Sequence, residues 1–141
     1  MTEERKKLLH PTSEALAEVY KALYKKGEVS FPLHDEHLFK LDSIVKTVNA
    51  EYFGFVRFPT NEEKAAAYFC YIIKDHPVTD GNKRLAVLWL DVFCQAKGLH
   101  MQQIVSLDEL AVSVEYDKEI SLEEMIHTVR GLLFGFSGIM K

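Results

Sequence analysis

The chain has 141 residues, of which 48% are hydrophobic and 27% charged, with a formal net charge of −4. That length suits one domain with a sizeable core, and the acidic balance argues against direct nucleic-acid binding or an anionic-membrane surface, either of which calls for a basic face. Two cysteines, no secretory pattern at the start and apolar runs far short of the ~20 residues of a membrane helix together predict a soluble cytoplasmic protein with no membrane partner.

Residues 1–12 read as a flexible, charged segment, residues 13–134 as the domain and residues 135–141 as a tail. After Pro11-Thr12-Ser13, the spacing of Leu16, Val19, Tyr20 and Leu23 predicts an amphipathic helix that stops at Gly27. Leu38, Leu41, Ile44, Val45 and Val48 predict a second, which runs to Asn49. Glu51-Tyr52-Phe53-Gly54-Phe55-Val56-Arg57-Phe58-Pro59 is short, aromatic and broken by glycine and proline, so it suits a strand-like loop or hairpin better than a helix. Thr60 and Glu63 form a capping box before a third helix, carried by Ala65, Ala66, Tyr68, Phe69, Ile72 and Ile73. That helix reaches Asp75, because Pro77 disfavours helical geometry at His76.

Leu85 to Ala96 is apolar nearly all round and predicts a buried helix ending at Gly98. Ser106-x-x-Glu109 and Ser121-x-x-Glu124 cap two further helices, the first through Leu110, Val112 and Val114, the second through Met125, Ile126, Val129 and Leu133. The fold class is therefore all-α: a compact helical bundle around a buried central helix, with one small hairpin. Cys70 and Cys94 fall on apolar helical faces and read as free buried thiols, and Trp89 as core. The apolar stretch Gly131 to Met140 suits docking on the body, covering a partner, or a junction with further chain.

Between the third and fourth helices lies His76-Pro77-Val78-Thr79-Asp80-Gly81-Asn82-Lys83-Arg84. A helix N-terminus carries about half a positive charge and up to four unpaired N–H groups, so it binds anions. Gly81 lets backbone approach a phosphate, Asn82 suits the helix cap, and Lys83 and Arg84 add fixed charge. Asp80 beside phosphates suits Mg²⁺, and His76 is the side chain here whose ordinary pKa of about 6.5 suits proton abstraction near neutrality. His34 and His37, with Asp35 and Glu36 between them, lack a third ligand at any obvious spacing and read as a helix first turn, not a metal pair.

The nine-residue stretch resembles the signature of the Fic/Doc family, His-x-Phe-x-Asp/Glu-Gly-Asn-Gly/Lys-Arg. The resemblance implies a Fic-type helical fold over about Ser13 to Leu133. It implies transfer of a phosphoryl or adenylyl (AMP) group from Mg-ATP to a Ser, Thr or Tyr hydroxyl of a target protein. His76 would be the general base, Asp80 the Mg²⁺ ligand, and Gly81, Asn82, Lys83 and Arg84 the phosphate-binding group. The hairpin residues Phe53, Gly54, Phe55, Val56 and Arg57 would form a flap that positions the target; the plainer reading is that these aromatics cover the core.

Three positions depart from the family pattern. Lys83 replaces the glycine usual in AMP-transferases, and Val87 stands where they carry a second arginine; both favour the Doc branch and phosphoryl transfer. Val78 replaces the usual phenylalanine and should alter packing more than chemistry. A restraining Ser/Thr-x-x-x-Glu-Gly/Asn helix is not found, so restraint would come from a separate partner, as for a toxin with its antitoxin, or from further chain. The alternative is a catalytically silent nucleotide-binding interaction module.

Overall fold

In a computed structural model of the protein, residues 9–103 and 105–136 are described. Among the described residues, six helices and one hairpin follow in chain order: α1 Pro11–Lys25, α2 Asp35–Val48, β1 Glu51–Tyr52, β2 Phe55–Val56, α3 Asn61–Asp75, α4 Asn82–Lys97, α5 Leu107–Tyr116 and α6 Leu122–Phe134. The all-α bundle with a small antiparallel hairpin is as the periodicity indicates, but its centre is a different helix. Every residue of α3 from Ala65 to Ile73 is buried, and α3 packs against α2, α4, α5 and α6.

The apolar run of α4, by contrast, leaves Val87 and Leu88 half-buried and Val92 37% exposed. Small side chains explain why α3 takes the middle. Ala65, Ala66 and Ala67 let neighbouring helices approach, while Phe69, Ile72 and Ile73 fill the space beyond, each side chain worth about 1.5–3 kcal/mol when fully buried. A larger residue at Ala66 would overpack this seam at a cost of about 1–3 kcal/mol.

Side-chain caps set the starts of α3, α5 and α6. The Ser106 and Ser121 hydroxyls accept the N–H of Glu109 and Glu124. At Thr60 the hydroxyl accepts the Glu63 N–H and itself donates to the Glu63 carboxylate at 3.1 Å, so the return half of the box runs through the side chain. In α5 the buried residues are Leu110, Ala111 and Val114, and Val112 is 43% exposed; alternation misled where a 3.6-residue period applies.

The first helix begins two residues before Ser13. His10 is the N-cap of α1 and Pro11 its first residue. The His10 N–H and the Ser13 hydroxyl both donate to Asp42 Oδ1, at 2.7 and 2.6 Å, tying α1 to α2. Residues 1–8, expected to be flexible, and 137–141 of the expected tail lie outside the described residues. The start of the tail returns to the body: Gly135 N–H donates to Gly131 O at 2.7 Å, and the Phe136 ring occupies the space a side chain at Gly131 would need.

Cys70 and Cys94 are free and buried, and Trp89 is 3% exposed within an aromatic group with Tyr68 and Phe93. No helix among the described residues is long and apolar enough to cross a membrane.

Candidate active site

Helix α3 ends on a residue in the left-handed region, His76, with φ 48° and ψ 60°. Proline at position 77 predicts an extended residue before it; the chain leaves the helix there, but by the left-handed route that histidine tolerates better than most. Such backbone costs about 1–3 kcal/mol and persists where its surroundings hold it. Among the described residues the only other non-glycine with positive φ is Phe53 at the hairpin tip. Both therefore fall in the two segments singled out for function.

The loop re-enters helix at Gly81, the N-cap of α4, also left-handed at φ 81°. The first backbone bond of α4 is Leu85 N–H to Gly81 O at 2.8 Å, so the N–H groups of Asn82, Lys83 and Arg84 precede the helical ladder. No acidic residue lies in this first turn. Two cations at the positive end of a helix dipole oppose it, an arrangement that an incoming anion relieves.

Hydrogen bonds from side chains and from neighbouring segments fix the loop. Asn82 is buried and makes a reciprocal pair with one residue: its Oδ1 accepts the Val78 N–H at 3.0 Å and its Nδ2 donates to Val78 O at 2.8 Å. The expectation that Asn82 caps α4 is thus corrected, since the cap is Gly81 and the amide braces the loop instead. Val78 itself is 4% exposed, inward as anticipated. Ser30, in the connector between α1 and α2, donates its N–H to Asp80 Oδ2 at 3.2 Å. From the same connector, Glu28 O accepts from Arg84 Nη1, and Val29 Cγ1 lies 2.2 Å from where a Cβ on Gly81 would sit. Finally, the buried ring of His37 places Nε2 3.1 Å from Thr79 Oγ1.

The result is a cavity of about 420 Å³ lined by His76, Thr79, Asp80, Gly81, the Asn82-Lys83-Arg84 turn and Glu115. Six residues expected to form the site therefore converge on one space: His76, Asp80, Gly81, Asn82, Lys83 and Arg84. His76 is exposed, with Nδ1 3.4 Å from Asn82 Nδ2. Lys83 Nζ meets both carboxylate oxygens of Glu115 at 3.0 and 3.1 Å. Glu115 is held by its own backbone, whose carbonyl accepts from Lys74 Nζ at 3.3 Å.

The flap residues are not among those lining this cavity. Their hairpin pairs Glu51 with Val56 and Tyr52 with Phe55 across the two-residue turn Phe53-Gly54. Tyr52, Phe53 and Phe55 are 63%, 109% and 66% exposed, so these aromatics do not cover the core; only Phe58 turns inward. Tyr52, Phe55 and Arg57 instead line a groove with Glu123, Ile126 and His127 of α6, where Arg57 also approaches Glu123 at 3.6 Å.

Glu115, His37, Ser30 and Glu28 are the site residues that sequence reasoning missed. His34 and His37 lie at the start of α2, the helix first turn expected of them; the added finding is that His37 Nδ1 accepts the His34 N–H at 3.0 Å and its other nitrogen faces Thr79. Glu115 gave no signal, because its place depends on how α5 crosses the end of α3. Among the described residues there is no group of three or more His, Cys, Asp or Glu side chains placed to hold a metal.

A helical bundle whose α3–α4 loop carries a histidine, an aspartate and two cations into one cavity defines the class. The family model described as "Fic/DOC family" matches residues 6–94, and the chain belongs to that family. The family carries a Fic-type transferase role in general terms. The match includes the hairpin and the whole loop but ends before α5, and so before Glu115. No curated protein and no solved structure matches the chain.

Proposed function

We propose that the protein transfers a phosphoryl or adenylyl group from Mg-ATP to a Ser, Thr or Tyr hydroxyl of a target protein. The observation that carries this reading is the convergence of a histidine, an aspartate, two cations and an open helix N-terminus on one cavity. The donor set fits a polyphosphate: glycine at the closest approach, N–H groups ahead of the ladder, and Lys83 and Arg84 beside them. It also fits Mg²⁺ at Asp80, since among the described residues only Oδ2 of that carboxylate is engaged. A bound Mg²⁺ would supply neutralisation of phosphate charge.

In the reaction the target hydroxyl oxygen forms a bond to phosphorus as the bond to the leaving phosphate oxygen breaks, and the hydroxyl proton passes to His76. Asn82 orients the imidazole that receives it. Its amide orientation is fixed by Val78, which both donates to Oδ1 and accepts from Nδ2, so an N–H faces His76 Nδ1. Release of that 3.4 Å contact frees Nδ1 to take a proton. Charge developing on the phosphoryl oxygens meets Lys83, Arg84 and the helix N–H groups. Lys83 in place of glycine, and Val87 in place of a second arginine, favour the phosphoryl over the adenylyl outcome. The exposed flap aromatics suit presentation of a target segment, and a separate protein acting as antitoxin would restrain the activity in a toxin pair.

A second reading, a catalytically silent nucleotide-binding module, is favoured by the engagement of His76 with Asn82, Lys83 with Glu115 and Arg84 with Glu28 within the chain. Mass spectrometry of the protein and a cell lysate after incubation with Mg-ATP separates the two. A phosphoryl addition to a lysate protein that disappears with His76→Ala supports the kinase, and an adenylyl addition the AMP-transferase. Binding of Mg-ATP without any addition supports the module, and absence of binding overturns both.

A further inference from the structure

We infer that His37, outside the signature loop, is a positioning residue for it: the imidazole holds Thr79 and so sets where Asp80 and Gly81 stand. This rests on the nucleotide reading only for its effect on binding.

The ring is fixed at both ends. His37 is the third residue of α2, 5% exposed, and its Nδ1 accepts the N–H of the N-cap residue His34 at 3.0 Å. A nitrogen that accepts a backbone N–H carries no proton of its own, so the ring proton sits on Nε2. That N–H points to Thr79 Oγ1 at 3.1 Å, which therefore accepts. The tautomer follows from a backbone donor that cannot reverse, not from a choice between equivalent rotamers. Two further groups stand near the ring: the Glu36 carboxylate, 3.8 Å from Nε2 and largely exposed, and the His34 ring at 5.6 Å.

What this bond does follows from the loop's other anchors. Val78 is held by Asn82, from α4, and Asp80 by the Ser30 N–H, from the connector. Thr79, between them, is held from α2. The residue before the metal-binding carboxylate is thereby tied to a helix that contributes nothing else to the cavity lining. Without the His37 bond, the exposed Thr79 is braced only through the Val78 and Asp80 anchors on either side, and the backbone that carries the Asp80 carboxylate is held less firmly.

The test uses variants that cut the bond from either side. Thr79→Val removes the acceptor and leaves the α2 cap untouched, whereas Thr79→Ser keeps it. His37→Asn keeps an acceptor for the His34 N–H but is too short to reach Thr79, and His37→Gln restores both reach and donor. The first readout, independent of nucleotide, is the ¹⁵N–¹H spectrum. Wild type should show the His37 proton on Nε2. Thr79→Val and His37→Asn should displace the Asp80 and Gly81 amide resonances in the same direction, with Thr79→Ser and His37→Gln near wild type. Unmoved Asp80 and Gly81 resonances in Thr79→Val overturn the inference, whatever the nucleotide does.

The second readout is calorimetric titration with Mg-ATP. Each bond-cutting variant should weaken binding about five-fold, the worth of roughly one net hydrogen bond, and the double variant no further. Unchanged affinity in a protein whose resonances have moved overturns the positioning role. If wild type binds no Mg-ATP, the nucleotide reading fails, and the resonances alone decide the inference.

Discussion

Lys83 and Glu115 form a two-oxygen ion pair inside the cavity that the signature loop builds, with side chains 40% and 20% exposed. A phosphate arriving at the N-terminus of α4 competes with the Glu115 carboxylate for the same ammonium, and like charges so placed repel. Pairs this exposed are worth about 0.2–1 kcal/mol. Glu115→Gln should therefore tighten Mg-ATP binding by up to roughly five-fold and make it more salt-sensitive. Lys83→Gln should weaken it. Calorimetric titration at two ionic strengths measures both, and weaker binding in Glu115→Gln would assign Glu115 a supporting role instead.

Gly81 must remain glycine on two counts: its φ of 81° belongs to the left-handed region, and Val29 Cγ1 stands 2.2 Å from the position of an added Cβ. The first costs an alanine about 1–2 kcal/mol and the second about 1–3 kcal/mol of overpacking. Gly81→Ala should lower the urea midpoint accordingly. Adding Val29→Ala should recover the overpacking part and leave the backbone part, a non-additivity that a double-mutant cycle reads directly. Equal and additive losses would mean that Val29 is not what crowds the site.

The signature was legible because its chemistry is local: His76 to Arg84 is one unbroken stretch, and the helix behind it is visible in periodicity. The braces were not. His37, Ser30, Glu28 and Glu115 reach the loop from sequence distances of 42, 50, 56 and 32 residues, and each makes contact through a backbone group, a hydroxyl or an ion pair that no pattern announces. The central helix was misassigned for a related reason. Hydrophobicity marks α4 as strongly as α3, and only packing decides that Val92 faces solvent while the alanines of α3 take the middle. Asn82 was misread as a cap because a polar residue at a helix start usually is one; a left-handed Gly81 displaced it by one position.

Burial pushes the Cys70 thiol up to about 12 and the Cys94 thiol up to about 11. A thiol reagent needs thiolate and access, and these residues offer neither in the folded protein. Ellman's reagent at pH 8 should label no thiol at Cys70 or Cys94 natively and both in denaturant. Rapid native labelling of either would mean that the α3–α4 seam opens on the time scale of the assay, and fewer than two reactive thiols in denaturant would reveal a disulfide.

Asp42 joins α1 to α2 through its carboxylate, which takes the His10 N–H and the Ser13 hydroxyl on one oxygen and Lys46 at 3.0 Å on the other. Burial opposes the charge, but the Ser13, His10 and Lys46 contacts outweigh it and hold the carboxyl below its usual value of 3.8. A depressed folded-state pKa means that the unfolded chain binds the proton first. The contribution is therefore complete above the unfolded value and is lost as pH falls through the folded one. Asp42→Asn should cost about 1–3 kcal/mol at pH 7, as a buried hydrogen-bonded group does when a partner is lost. The gap from wild type should narrow in urea denaturations as pH falls below about 4. A gap that stays constant down to pH 3 would show that shape and hydrogen bonding, not the carboxylate charge, hold the first two helices together.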